Sequence, residues 1–129
     1  MHANDVEVVR VYTRRPGSMV ADQTFPAAQN FELVIECEVG ATKFGDGGSY
    51  RIGFVVRDLS ACAIVIPNTI ITGTFGDATW PTMDLQYVHP LPAQGVAQQF
   101  HIYEAIAFVT AGNINPDVSF ARSPMLIIT

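Results

Sequence analysis

The sequence predicts an all-β protein, an antiparallel β-sandwich of about seven or eight strands, with a jelly roll or small barrel as the alternative architecture. Apolar residues come in short runs separated by clusters of Gly, Pro, Asn and Asp, the punctuation of strands joined by turns. No stretch sustains the 3.6-residue apolar period of an amphipathic helix. Several runs instead alternate apolar and polar residues with a period of two, as a half-buried strand requires. At 129 residues, the chain reads as one domain, residues 1–129, large enough to bury a core without covalent staples.

The elements follow in order. A first strand fits Val6 to Thr13, and Arg14-Arg15-Pro16-Gly17-Ser18 is turn-like. Phe31 to Val39 alternates most cleanly, with Phe31, Leu33, Ile35, Cys37 and Val39 inward and Glu32, Val34, Glu36 and Glu38 outward. The glycine-rich segment Lys43 to Ser49 predicts a turn before a strand from Tyr50 to Asp58. Cys62 to Ile66 reads as a short strand ended by Pro67-Asn68, and Ile70 to Phe75 and Met83 to Val88 as two more. Pro90 to Gly95 reads as a loop. Phe100 to Val109 and Val118 to Ile128 close the chain as the last two strands. That closing pair is apolar on both faces, so something must cover both sides.

Composition points the same way. Only 15% of residues are charged and the mean hydropathy is +0.25, against roughly 25% charged in an average soluble domain. Extra buried surface is therefore expected, and with it a homo-oligomer or a protein partner. The net charge of −5, a single lysine (Lys43) and scattered arginines exclude a phosphate-binding face for nucleic acid. They also argue against an acidic membrane surface as partner. The first residues, Met1 to Glu7, lack the positive start and apolar run of a signal peptide. The expected location is cytoplasmic, or secreted if a leader preceded this sequence. No stretch approaches the ~20 apolar residues of a spanning helix.

Residue constellations that would announce a reaction are missing from the sequence. Cys37 and Cys62 could pair once, but Cys37 continues an inward apolar series and reads as a small buried hydrophobe. His2, His89 and His101 lie far apart, so neither a metal nor a cofactor is expected. Glu32, Glu36 and Glu38 form a charge row on an outward strand face, which reads as solvated. The two Phe-Gly-Asp triplets, at Phe44 and Phe75, lack the repeated Asp/Asn spacing of a calcium loop and read as turns. No nucleophile motif or phosphate loop occurs. Aromatics in or beside predicted loops, Trp80, Tyr87, Phe75 and Phe44, are candidates for stacking on sugar rings. Trp80, followed by Pro81, could equally plug one end of the sandwich.

The segment Gln99-Phe100 followed by Tyr103-Glu104-Ala105 resembles the sixth strand of immunoglobulin-like domains, where a Tyr two residues before the inward Cys or Ala position forms a tyrosine corner. The segment Ser119 to Leu126, with Pro124, looks like the final strand of fibronectin-III-like sandwiches, whose edge is often interrupted by Pro. The family's disulfide is absent, its sixth-strand cysteine position falling at Ala105, and Trp80 lies too late to be the inter-sheet Trp. The resemblance implies that Tyr103, Ala105, Ala107 and Val109 face the core. Phe100, Ile102, Glu104, Ile106 and Phe108, with Phe120 and Leu126 or its neighbours on the last strand and with Val55, then form an outward, largely apolar face. The third, sixth and seventh strands would share that sheet, through which variable domains dimerise. Alternatively, Met19 to Phe25 or the Trp80 loop folds over the face. The function expected is a non-catalytic binding or assembly module that self-associates through this face. A carbohydrate-binding module using Trp80, Tyr87 and Phe75 is the first alternative, and a small enzyme whose site sequence does not reveal is the second.

Overall fold

The computed structural model describes residues 5–112 and 116–129. The chain is mostly β and folds as an open sandwich of antiparallel strands. One sheet has three strands in the order β1 (Val6–Arg14), β3 (Phe31–Val39), β6 (Asp84–Leu91). The other runs β2 (Thr24–Phe25), β9 (Leu126–Ile128), β7 (Ile102–Ala111), β4 (Ser49–Asp58), β5 (Ala63–Thr74), with β8 (Asp117–Arg122) paired to β7 beyond β9. Among the longer strands the third, sixth and seventh (β4, β7 and β8) therefore share a sheet.

Strand periodicity sets which residues meet between the sheets. Leu33, Ile35, Ile52, Phe54, Tyr103, Ala105, Ala107 and Val109 are all fully enclosed. Phe25 and Phe31 stack at 4.6 Å between ring centres. On β1 the register slips at Val9, an extra residue that reverses the alternation, so Val8 and Val11 both point inward. One flank of the sandwich is closed by side chains of β8: Asp117 accepts the Val6 N–H and Ser119 Oγ the Val8 N–H, each at 3.0 Å. These bonds satisfy edge amides that would otherwise template further pairing.

Several sequence expectations are corrected. Pro67-Asn68 does not end a strand; the two apolar runs merge into one twelve-residue strand, β5. β5 pairs only with β4, and the register shifts between Phe54 and Val56, leaving Pro67 and Asn68 outside the paired positions. Proline is tolerated on such an edge because the missing N–H faces away from the ladder. The final predicted strand is two, β8 and β9, broken at Ser123–Met125. β6 continues through Pro90 into the expected loop, again at a sheet edge. The predicted turn from Lys43 begins inside a five-residue helix, α1 (Ala41–Gly45). Phe100 lies before β7 rather than in it, with a left-handed φ of 67°. Cys62 sits in the β4–β5 turn, exposed and with φ 52°, rather than in a strand. Both cysteines are free, and Cys37 is buried as its inward position requires.

Candidate functional site

The outward face of the six-stranded sheet is built row by row from the pairing register, because directly paired residues of antiparallel strands point the same way. Ile70, Gly53, Phe108 and Phe120 form one row across β5, β4, β7 and β8. Val55, Ile106 and Arg122 form the next, with Thr72, Arg51, Thr110 and Val118 on the other side. Ile102 and Ile127 extend the face toward the start of β7. Phe120 is 70% exposed and Ile70 49%, while Ile106 and Phe108 are half-buried. The Phe108 and Phe120 rings lie 6.2 Å apart at 46°.

Gly53 is integral to this surface. A Cβ on Gly53 would lie 2.0 Å from Cε1 of Phe108, so the ring lies over the glycine and covers bare backbone. Charges flank the apolar band. Arg51 stands on one side, and Arg57, Glu104 and Arg122 on the other, where Arg122 reaches Glu104 at 3.7 Å. Three arginines against one glutamate make this face cationic on a chain of net charge −5.

The predicted interface residues are thus placed unevenly. Ile102, Ile106, Phe108 and Phe120 share the outward face, with Tyr103, Ala105, Ala107 and Val109 turned to the core, whereas Leu126, expected outward, pairs with Tyr103 and is buried on its inward side. Phe100 is 68% exposed but lies off the strand. Its N–H donates to the Ile128 carbonyl, which holds it outside the β7 ladder. Neither alternative cover lies on the face: Phe25 and Trp80 are in the core and Met19 is exposed. Tyr103 donates its hydroxyl to Gln94 Oε1 at 3.0 Å, a side-chain partner nine residues upstream.

The candidate sugar-stacking aromatics are placed differently from their sequence expectation. Trp80 is fully buried and Phe75 nearly so, packed edge-on to each other at 4.9 Å. Neither presents a free ring face, and Trp80 plugs the end of the sandwich. Tyr87 lies on β6, half-buried against Phe54 at 6.0 Å. Phe44, on α1, packs toward Phe75. The histidines do not converge: His89 packs on Phe54, and His101 Nδ1 lies 2.6 Å from the buried Asp58 carboxylate. His2 lies outside the described residues. No group of three or more His, Cys, Asp and Glu among the described residues is arranged to hold a metal. Burial pushes the Cys37 thiol up to about 12, which keeps it protonated and unreactive.

The outward face of the three-stranded sheet has the opposite character. Glu7, Glu38 and Asp84 stand side by side on β1, β3 and β6, and all three are exposed. Arg10, Glu36 and Gln86 make the next row, then Tyr12, Val34 and Val88, then Arg14, Glu32 and Pro90. Val34 is outward yet fully buried. The Arg10 guanidinium lies 4.1 Å over the neighbouring Tyr12 ring, and Arg14 Nε bonds Glu32 at 3.0 Å. An open groove of about 440 Å³ lies against the acidic row, with Val9, Glu36, Glu38, Asp84 and Gln86 among its walls. Sequence reasoning found the glutamates of β3 but not this row, which only the register of three strands remote in sequence assembles.

No protein-family model matches the chain, and neither curated proteins nor solved structures give a match. No helix among the described residues is long and apolar enough to cross a membrane.

Proposed function

We propose that the protein is a non-catalytic assembly module that self-associates through the outward face of the β5-β4-β7-β8 sheet. One observation carries this reading: a contiguous apolar band of Ile70, Phe108, Phe120, Val55 and Ile106 on a face that no element among the described residues covers. Three strands of ten to twelve residues and the six-residue β8, about 4.8 Å apart, span roughly 20 Å by 30 Å at most. That is the order of a standard interface, about 800 Å² per partner. The low charge content agrees with surface that is buried in an assembly. β4, β7 and β8 share one sheet, which gives the proposed contact a continuous surface.

The test is the solution mass across a concentration series from micromolar to millimolar, by sedimentation or light scattering. The wild-type chain is expected to form oligomers, and Phe120→Glu to remain monomeric with unchanged circular dichroism. A wild-type chain that stays monomeric at millimolar concentration overturns the reading.

A further inference from the structure

Resting on the self-association reading, we propose that the assembly is head-to-tail: the cationic, apolar face of one copy seats on the acidic outer face of the three-stranded sheet of the next. The two broad faces of the sandwich carry opposite charge. Arg51, Arg57 and Arg122 against Glu104 alone line one. Five carboxylates (Glu7, Glu32, Glu36, Glu38 and Asp84) against Arg10 and Arg14 line the other. A two-fold dimer through the first face would set two cationic surfaces against each other, and like-charge juxtaposition disfavours a pairing. Stacking unlike faces removes that conflict.

Two local features favour the same arrangement. Glu7, Glu38 and Asp84 are direct cross-strand neighbours, an alignment of like charges that destabilises a lone sheet. Arginines from a second copy would relieve it. The groove of about 440 Å³ beside this row includes the exposed, bulged-out Val9 in its wall. It offers an acid-rimmed recess for Phe120, the most exposed ring of the opposite face, two residues from Arg122 on the same side of β8. A protrusion on one face fitted to a recess on another defines a heterologous contact, which closes into a ring or continues as a filament.

A mixing experiment separates this arrangement from its rivals. One variant, Phe120→Glu/Arg122→Glu, spoils the cationic face; the other, Glu38→Lys/Asp84→Lys, spoils the acidic face. All four positions are exposed, and Trp80 fluorescence verifies that each variant is folded. Each variant alone is expected to be monomeric where the wild type assembles, its self-association weakened about tenfold or more. Mixed one to one, they should associate again, because each supplies one intact face. If the Glu38→Lys/Asp84→Lys variant self-associates like the wild type, the head-to-tail arrangement is overturned while self-association stands. If the wild type itself never associates, the underlying reading fails instead. Should the double lysine variant misfold, Glu38→Gln/Asp84→Asn makes the same test, with a smaller loss of self-association and the same rescue by the first variant.

Discussion

Asp77 organises one end of the sandwich through a single carboxylate. It accepts the Tyr50 hydroxyl at 2.9 Å and the backbone N–H groups of Thr74, Thr79 and Trp80 at 3.2, 3.0 and 2.9 Å. The Trp80 N–H foremost, then the Tyr50 hydroxyl and the other amides, hold its pKa below the usual carboxylate range. A depressed carboxylate stabilises the fold above its unfolded value, about 4, and that contribution is lost as pH falls through the lower folded value. Asp77→Asn keeps the shape but accepts fewer of these bonds. It should cost about 2 kcal/mol at pH 7, with a shallower fall in stability below about pH 4, read from urea melts by Trp80 fluorescence. An equal loss at pH 7 and pH 3 would contradict the assignment. Gly73 belongs to the same arrangement, since a Cβ there would meet Asp77 Oδ2 at 2.2 Å and the Tyr50 hydroxyl at 2.6 Å. Gly73→Ala should therefore destabilise the folded chain measurably in the same melts, by pushing these two partners apart.

Individual elements show where side chains take over from the ladder. After β8 ends at Arg122, Ser123 keeps the chain attached to β7: its N–H donates to the Ala105 carbonyl at 2.8 Å, and its hydroxyl accepts the Ala105 N–H at 2.9 Å. Ser123 is buried, so Ser123→Ala leaves the Ala105 amide without its acceptor. The expected loss is about 1–3 kcal/mol, with faster hydrogen exchange at Ala105 as the specific readout. The alternating patterns of β3 and β4 made these strands legible in sequence, because each packs one face against the core, and β7 was legible as a run apolar on both faces. The break at Ser123–Met125 was legible only in part: Pro124 marks an interruption in the sequence, but only the partners of Ser123 show how the chain stays attached to β7. The merging of two runs into β5 was hidden for the converse reason: Pro67 reads as a terminator unless the strand is known to lie at an edge. α1 is too short to imprint a helical period. The apolar band was readable from β7 alone, whereas the acidic row and its groove exist only once three distant strands are in register.

At the scale of the molecule, the sandwich is closed on one flank by β8 side chains and has two broad faces of unlike charge. Its interior is sealed at one end by Trp80 and holds the stacked Phe25 and Phe31 toward the other. Tyr50 and Tyr103 belong to that interior, and desolvation by burial, foremost, pushes each hydroxyl up to about 12. Their neutral forms favour the fold fully below pH 10, the ordinary tyrosine value, and this contribution fades as pH rises toward about 12. The two cysteines record the same division between inside and outside. Cys62 stands exposed in a turn while Cys37 is enclosed on β3, so a brief alkylation pulse should add one mass tag to the native chain and a second only to molecules that have opened. The interval between the first and second tags then times the opening of the core directly, an internal clock that needs no engineered probe.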